Sequence, residues 1–352
     1  MTIPVFDGHN DFLLRLWRRP DRATLWLAGE GRGHLDLPRM RAGGFAGGMF
    51  AIYVPSPDDP ALRDIEALMD RPPYAVPLPP ALDLHDAQPV AMAMAAHLLG
   101  MERDAPADFR ICRDAAEVRT AIGAGAIAGV MHMEGAEAID EGLDALHLFH
   151  ALGLRSLGPV WSRPTAFGHG VPFAFPASPD HGPGLTDAGR RLVAECDALR
   201  ILIDLSHLNE AGFWDVARLS QRPLVATHSN AHAVTPSSRN LTDRQLAAIR
   251  DSGGLVGLNF ATAFLRPDGR RDPKVGWDAL LRHLDHLLSV LGEGGVGLGS
   301  DFDGATIPEP IGDAAGLPGL LEALSAHGFG EALVTRIAHR NWLDLLARTW
   351  GG

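Results

Sequence analysis

The sequence predicts an α/β protein built as a (β/α)8 barrel, with long loop insertions and closing C-terminal helices. Eight short apolar runs alternate with longer segments of helical periodicity, which is the pattern of βαβ units in a parallel sheet. The chain has 352 residues, a length that suits one such barrel with insertions. The alternative is an open doubly wound sheet, but no Gly-x-Gly-x-x-Gly motif follows a predicted strand to support it.

The predicted strands lie at 3–7, 47–54, 126–134, 154–160, 201–207, 223–228, 254–260 and 295–301. The clearest predicted helices lie at 185–199, 209–220, 241–253 and 277–292. Two of them begin with a Thr-Asp pair, whose side chains can accept hydrogen bonds from the free amides of a first helical turn.

Two long insertions, 55–84 and 161–184, interrupt the alternation of strands and helices. Loops of this length are usually functional or mobile. Residues 316–350 are expected to form closing helices rather than a second domain. We therefore expect residues 1–352 to form a single (β/α)8 barrel domain.

The composition is that of a folded, acidic protein. Hydrophobic residues make up 46% and charged residues 21% of the chain, which excludes a disordered protein. The net charge is −12 and there is no basic stripe, so no nucleic-acid partner is expected. No segment approaches about 18 uninterrupted apolar residues, so the sequence predicts no membrane span.

Several features favour a cytoplasmic protein. The first predicted strand begins within a few residues of Met1, so we expect no signal peptide. The C-terminal residues LDLLARTWGG lack the apolar tail of a lipid-anchor signal. The two cysteines, Cys112 and Cys196, cannot form a disulfide framework, which is typical of a reducing compartment.

Ionisable side chains lie at the ends of five predicted strands. These residues are His9 and Asp11, Glu134, His207, His228, and Asp301 with Asp303. In a parallel barrel these strand ends open on one face, where barrel active sites lie. A single histidine at a strand end is commonly structural, but five coincident ends are hard to explain separately. Three histidines with two or three carboxylates suit a divalent ion such as zinc, and Asp11 and Glu134 also allow a bridged pair of ions.

Some of these residues have structural alternatives. His207 could cap the helix that begins near Asn209, and Asp303 is interpreted as a turn residue or a supporting partner rather than a ligand. His132 is interpreted as a core or helix-facing histidine. The histidines in predicted helices are interpreted as surface or interhelix residues: His147, His150, His283 and His286.

Six short motifs follow one another along the chain: DGHND (7–11), MEG (133–135), DLSH (204–207), ATHSN (226–230), SRNLTD (238–243) and GSDFDG (299–304). Together they resemble the renal or membrane dipeptidases, a metal-dependent branch of the amidohydrolase-type barrels. They follow the order of that family over nearly the whole chain. The resemblance implies two zinc ions per chain, with Glu134 bridging them. One ion would be held by His9 and Asp11, the other by His207 and His228.

The same resemblance implies how the reaction proceeds. A hydroxide between two zinc ions would attack the peptide bond of a dipeptide. Asp301 matches the acid/base residue of the family, and Arg239 matches the arginine that holds the C-terminal carboxylate of the substrate, a role that its planar guanidinium suits. The residue at the C-terminal position could have the D configuration.

Two departures from the family pattern leave the substrate range open. Family members commonly carry a substrate-contacting histidine after the fourth strand, where this chain has LGPVWSRP with Trp161 at that place. His169, a few residues further on, could substitute for it. Animal members also carry an aromatic hydroxyl after the seventh strand, where this sequence has Ala261.

Two alternative functions remain at this stage. Another metal-dependent amidohydrolase, acting on N-acyl amino acids, lactones or small phosphoesters, would keep the metals without needing Arg239. A non-catalytic barrel used as a binding module is disfavoured, because every expected ligand is present. The expected partner is a small dipeptide substrate, with no nucleic acid and no membrane, and a homodimer is left open.

Overall fold

The computed structural model describes residues 3–57 and 65–351. Its strands are β1 (Val5–Asn10), β2 (Phe45–Tyr53), β3 (Tyr74–Ala75), β4 (Phe109–Ile111), β5 (Ile127–Glu134), β6 (Leu154–Gly158), β7 (Ala174–Phe175), β8 (Leu202–Ile203), β9 (Val225–Ser229), β10 (Leu255–Asn259) and β11 (Val296–Gly299). Eight of them form a parallel sheet in the order β8-β6-β5-β2-β1-β11-β10-β9, and β4 adds to the start of β5. A parallel bridge between Asp204 and Val225 joins the two ends of this sheet, so the barrel is nearly closed.

The helices surround this barrel. They are α1 (Phe12–Trp17), α2 (Arg22–Ala28), α3 (Leu37–Ala42), α4 (Ile65–Met69), α5 (Leu84–Asp104), α6 (Ala115–Gly123), α7 (Asp144–Leu152), α8 (Asp187–Leu199), α9 (Glu210–Leu219), α10 (Asp243–Asp251), α11 (Thr262–Leu265), α12 (Trp277–Leu291), α13 (Leu317–Ala326), α14 (Glu331–Thr335) and α15 (Asn341–Trp350). A 3₁₀ turn (Ala314–Gly316) precedes α13, and a π-helical turn (Arg336–Arg340) joins α14 to α15. Within the described ranges, no helix is both long and apolar enough to cross a membrane.

The predicted barrel is confirmed, and each predicted strand coincides with a strand of the barrel wall. The fifth predicted strand, 201–207, is shorter in the structure, where regular pairing covers Leu202–Ile203. The cause is Asp204, whose carboxylate accepts a hydrogen bond of 3.0 Å from the amide of Ser206 and turns the chain. His207 therefore lies on a turn, with a left-handed backbone φ of 67°.

Local capping explains where several helices begin. The Thr186 side chain accepts a hydrogen bond from the amide of Gly189 at the start of α8, and Thr242 forms a reciprocal capping box with Gln245 at the start of α10. Asn209 caps α9 through the amide of Gly212. The alternative that His207 caps this helix is therefore wrong.

The predicted closing helices at the C-terminus are present, and they cover the N-terminal end of the barrel. Trp342 of α15 is fully buried among residues from the first halves of the strands, including Phe6 and Leu255. Its indole nitrogen donates a hydrogen bond of 2.9 Å to the carbonyl of Leu298. A Cβ atom at Gly8 would come within 2.4 Å of this indole ring, so only glycine lets the helix pack so closely.

The two long insertions contact each other. Residues 58–64 of the first insertion lie outside the described residues, but its β3 pairs antiparallel with β7 of the second, with Tyr74 opposite Phe175. The Tyr74 hydroxyl also donates a hydrogen bond of 3.0 Å to the carbonyl of Gly269. A small apolar cluster that includes Phe264 buries this junction beside the C-terminal end of β10.

Candidate metal centre

The first barrel strand presents three ionisable side chains. Asp7, His9 and Asp11 are two residues apart, so they share a face, and none is more than 4% exposed. Asp7 is engaged elsewhere, because it accepts hydrogen bonds from the amide (2.6 Å) and the hydroxyl (2.9 Å) of Ser300. Burial raises the pKa of Asp7 to about 6, although these bonds oppose the shift. Asp11 precedes α1, but its carboxylate caps no amide there and is available to a cation.

Glu134, at the end of β5, lies at the centre of the cluster. Its Oε1 atom lies 3.1 Å from His207 Nε2 and 3.4 Å from His228 Nε2. Its other oxygen, Oε2, lies 3.7 Å from His9 Nε2, which is itself 3.4 Å from Asp11 Oδ2. The two oxygens of this one carboxylate therefore face different histidines, Oε1 towards His207 and His228 and Oε2 towards His9.

Hydrogen bonds to the second ring nitrogen orient two of the histidines. His207 Nδ1 is 2.8 Å from the hydroxyl of Ser162, and His228 Nδ1 is 2.8 Å from the hydroxyl of Thr227. Thr227 gives its own proton to Asp204 over 2.6 Å, so His228 Nδ1 must be the donor to Thr227. Burial keeps the pKa of both histidines well below the usual value. His228 is therefore neutral and has a lone pair on Nε2, the form in which histidine binds metals.

His9 indicates that the cluster is built for a cation. Neither of its ring nitrogens has a hydrogen-bond partner in the described structure, although both are buried. Burial alone would lower the pKa of His9, but Glu134 and Asp11 raise it to about 10. Ligand atoms lie within 4.8 Å of one another both in the set His9, Glu134 and His228 and in the set His9, Asp11 and Asp301. Buried imidazoles and carboxylates this close together, with both nitrogens of His9 unpaired, fit a divalent metal.

Asp301 lies beside this cluster at the end of β11. Its Oδ2 atom accepts a hydrogen bond of 3.0 Å from the side-chain amide of Asn259, and its backbone φ is 59°. Burial raises the pKa of its carboxyl group. A Cβ atom at Gly304 would lie 2.0 Å from Asp11 Oδ2 and 2.5 Å from Asp301 Oδ1, so glycine is required where the two carboxylates approach.

His132 also faces the barrel interior, on the same side of β5 as Glu134. Its ring packs edge-on against the ring of His9, with centroids 5.3 Å apart. Its Nδ1 atom lies 2.9 Å from the hydroxyl of Ser156, and its Nε2 atom lies 3.6 Å from Asp204. Burial lowers the pKa of His132 to about 4. Of the two interpretations made from the sequence, the core position is confirmed and the helix-facing position is wrong.

Arg239 lies on the loop after β9 and is only 3% exposed, which excludes a surface ion pair. Its two terminal nitrogens donate hydrogen bonds to the hydroxyl of Ser229 (3.1 Å) and the carbonyl of His228 (3.2 Å). Its Nε atom has no partner in the described structure, and its guanidinium lies 5.7 Å from the centroid of the Phe264 ring. Burial lowers the pKa of Arg239 to about 10 despite the nearby carboxylate of Asp301. The side chain is therefore charged, fixed in place and only partly hydrogen-bonded.

Asp303 does not join this cluster. Its carboxylate forms an ion pair of 3.3 Å with Arg15 and accepts a hydrogen bond of 2.6 Å from the amide of His34. These contacts agree with its interpretation as a supporting residue in a turn.

Comparison with known proteins identifies the family. A family model for the membrane dipeptidases (peptidase family M19) matches residues 1–349. The chain belongs to the membrane dipeptidase family. This result confirms the family resemblance and the prediction of a metal-dependent dipeptidase-type hydrolase. Membership in a metallopeptidase family also implies a bound metal.

Two solved structures of this family are very similar to the chain. One is the metallopeptidase dipeptidase AC, with 68% identity, a TM-score of 0.98 and full coverage of both chains. The other is a metallopeptidase from Rhodobacter sphaeroides, liganded with a phosphinate mimic of the dipeptide L-Ala-D-Ala. It has 68% identity and a TM-score of 0.98, covering 99% of this chain and 100% of its own. A Klebsiella pneumoniae protein from the pqqA 5′ region is 51% identical over 243 residues, which are 69% of this chain and 89% of that protein.

The two departures from the dipeptidase pattern have clear positions in the fold. The ring of Trp161 lies 5.7 Å from the ring of His207, at the edge of the donor cluster. Within the described ranges, no hydrogen bond or ring contact joins the His169 side chain to the donors. Ala261 is buried, and its amide donates a hydrogen bond of 2.6 Å to the side chain of Asn259.

Sequence reasoning did not identify several residues of this dipeptidase-family centre. Ser162, Thr227 and Asn259 orient donor or acid side chains, but their partners become visible only in the folded barrel. Tyr53 lies directly opposite Glu134 in the pairing of β2 with β5. Its position at the end of a predicted strand, where other strands carry ionisable residues, was an available signal.

Proposed function

We propose that this chain hydrolyses the peptide bond of dipeptides, including those with a D-residue at the C-terminal position, at a centre of two zinc ions. The observation that carries the proposal is the position of Glu134 between two sets of buried donors, with the fixed cation of Arg239 nearby. A metal centre beside a buried arginine suits a small substrate that has a free carboxylate.

The metal ligands in this proposal are residues of four strand ends. His9 and Asp11 would hold one ion, and His207 and His228 would hold the other, with Glu134 shared between them. A mixture of imidazole and carboxylate donors is typical of catalytic zinc. When bound, such ions polarise a carbonyl group and make water an effective nucleophile near neutral pH.

Asp301 would handle the protons of the reaction. It lies beside His9 and Asp11, and its hydrogen bond from Asn259 holds the carboxylate in one orientation. It would take a proton from the attacking water and then give it to the departing amine, as general base followed by general acid. A carboxyl pKa raised by burial suits both steps better than that of an exposed aspartate.

Arg239 would bind the C-terminal carboxylate of the dipeptide. Because Ser229 and the His228 carbonyl already hold its terminal nitrogens, little side-chain entropy would be lost when the substrate binds. Binding at this position fixes the scissile bond relative to the metal donors. A longer peptide would place an amide where the free carboxylate belongs, and the buried cation would lose its charged partner.

The enzyme is proposed to work in the cytoplasm. Both cysteines, Cys112 and Cys196, are free and buried in the structure. Their thiols would stay reduced in that compartment, and the fold does not depend on a disulfide.

One experiment tests the proposal as a whole. The purified protein is assayed for bound metal and for cleavage of alanine dipeptides with an L- or a D-residue in second position. L-Ala-D-Ala is the first substrate to assay, because the Rhodobacter sphaeroides relative was solved with a mimic of it. We expect about two zinc ions per chain, loss of activity with a chelator and recovery with added zinc. A metal-free protein whose activity ignores chelators, or a zinc-loaded protein that cleaves no dipeptide, would contradict the proposal.

A further inference from the structure

A set of aromatic side chains borders the metal donors on the side of His207. Trp161 is its centre: its ring lies 5.2 Å from Tyr53, 5.6 Å from Phe173 and 5.7 Å from His207. Tyr53, Trp161 and Phe173 are each partly exposed, so these rings form a surface rather than a closed core. We call Tyr53, Trp161 and Phe173 the aromatic wall. Large flat side chains in this position restrict the space next to the reacting bond.

The aromatic wall is held from behind by a buried arginine. Arg163 is fully buried, and its guanidinium lies 5.2 Å from the ring of Trp161 and 5.4 Å from the ring of Tyr53. It donates hydrogen bonds to Glu137 (2.6 Å) and to the hydroxyl of Ser56 (3.0 Å). Moving Trp161 aside would remove a cation–π partner from a buried charge, which is energetically costly. Displacing Trp161 or Tyr53 to admit a larger ligand would therefore cost free energy.

The geometry of the barrel indicates which part of the substrate meets this wall. Arg239 follows β9, whereas Tyr53 ends β2, and these strands lie on opposite sides of the eight-stranded ring. A dipeptide with its carboxylate at Arg239 and its scissile bond at the metal donors must extend its N-terminal residue away from β9. That direction leads to Tyr53, and Trp161, which follows β6, lies on the way between His207 and Tyr53. The side chain of the C-terminal residue would lie nearer to Phe264, which packs under Arg239 and meets the wall only at Phe173, with ring centroids 5.8 Å apart.

We propose that Trp161, held by Arg163, limits the size of the side chain on the N-terminal residue of the substrate. The enzyme would then select dipeptides that begin with a small residue such as glycine or alanine, and would tolerate more variation in the second residue. This inference rests on the proposed dipeptidase function and specifies its substrate class. Trp161 acts here as a specificity residue, because it sets the shape of the pocket and takes no part in the proton transfers.

The test compares two substrate series on the zinc-loaded enzyme. In the first series, glycine, L-alanine, L-leucine or L-phenylalanine precedes a constant D-alanine. In the second, a constant L-alanine precedes D-alanine, D-leucine or D-phenylalanine. For the wild type we expect kcat/KM to fall by roughly 30-fold or more from alanine to phenylalanine in the first series, because Trp161 and Tyr53 occupy the space that the larger side chain needs.

Replacing Trp161 should change only the first series. In Trp161→Ala, we expect the preference for alanine over phenylalanine at the first position to shrink by roughly tenfold or more. The corresponding ratio in the second series should change less than about threefold. Trp214→Ala is the matched control, because Trp214 packs against Arg244 on the outer helices, away from the metal donors. It should leave both ratios unchanged.

The remaining outcomes separate this inference from the proposed function. A Trp161→Ala enzyme that keeps the wild-type ratio, or that changes both series equally, would overturn the role of Trp161 while leaving dipeptide hydrolysis in place. A zinc-loaded wild type that cleaves neither series would instead overturn the proposed function. If Trp161→Ala loses zinc or folds poorly, Trp161→Leu keeps an apolar side chain and should narrow the first ratio by a smaller factor. An unchanged ratio in a folded, zinc-loaded Trp161→Leu enzyme would equally overturn the inference.

Discussion

Thr227 donates its hydroxyl proton to the carboxylate of Asp204 over 2.6 Å. With that proton committed, the Thr227 oxygen can only accept from Nδ1 of the neighbouring His228, 2.8 Å away. The amide of Thr227 also donates to Asp204, so the threonine is held at two points. A buried carboxylate outside the proposed ligand set thus determines which ring nitrogen of His228 carries the lone pair.

Replacing this hydroxyl should weaken metal binding without removing a ligand. Thr227→Val keeps the shape of the side chain but removes the acceptor for His228, so the affinity for zinc should fall about 10- to 100-fold. Competition with a chromophoric chelator measures this change. Thr120→Val is a control, because the hydroxyl of Thr120 donates to the Ala116 carbonyl on an outer helix and, among the described residues, has no other partner. Wild-type zinc affinity in Thr227→Val would show that the hydrogen bond does not tune the ligand.

The proposed acid/base residue can be separated from the proposed ligands. Asp301→Asn keeps the size of the side chain but cannot carry the proton, so kcat should fall by roughly 10²-fold or more. Zinc content should stay near that of the wild type. Asp303→Asn is a neighbouring control that breaks the ion pair with Arg15, and it should lower thermal stability while leaving kcat within about threefold. An Asp301→Asn protein that loses its zinc would mean that Asp301 is a ligand.

The sequence was most informative where the fold requires polar residues in unusual places. Parallel strands that end in histidine or a carboxylate have no reason to do so for packing, so His9, Glu134 and His228 pointed to one face of a barrel. The barrel itself was predictable because each buried strand is a short apolar run followed by a helical pattern. These patterns are local, so they can be recognised in the sequence without knowing which residues contact one another in the fold.

The residues that orient the centre could not be predicted in the same way. Ser162 meets His207 across 45 positions of sequence, and β3 meets β7 across about 100 residues, so neither pairing leaves a local pattern. Arg163 and Glu137 form a buried ion pair in the fold, but in the sequence each is an ordinary charged residue in a loop. Such partners are determined by how the loops after different strands meet, which depends on the folded structure.

His283 gives the fold a dependence on pH that does not involve the metal centre. This fully buried histidine of α12 accepts a hydrogen bond of 3.1 Å from the amide of Ala231, and its other nitrogen lies 3.2 Å from the carbonyl of Leu265. It agrees with the interhelix interpretation made from the sequence rather than with a surface position. Burial lowers the pKa of His283 to about 3. The folded protein therefore holds this ring neutral at pH values where the unfolded chain protonates it.

The sign of the effect follows from this difference in proton binding. Between about pH 6.5 and 3, the unfolded state binds a proton at His283 that the folded state does not, so stability falls by about 1.4 kcal/mol per pH unit through this residue. His283→Gln lacks the titrating group. The difference in free energy of unfolding between the wild type and His283→Gln should therefore shrink by roughly 2 kcal/mol when the pH is lowered from 7 to 5. Urea unfolding of both proteins at the two pH values measures the difference, and a constant gap would show that His283 does not titrate on unfolding.

Arg239 decides whether the centre recognises a free carboxylate. Its guanidinium is buried and only partly hydrogen-bonded, so a substrate carboxylate would be a desolvated partner and not a solvent-screened one. Arg239→Ala should therefore cost about 2–4 kcal/mol in kcat/KM for a free dipeptide. The same dipeptide with an amidated C-terminus should be a poor substrate for the wild type, and the substitution should reduce its cleavage far less. Zinc content measured in parallel excludes a loss of metal as the cause. Equal losses on the free and amidated dipeptides would mean that Arg239 supports the fold of the His228 loop instead of reading the carboxylate, and the substrate class would widen to other amides.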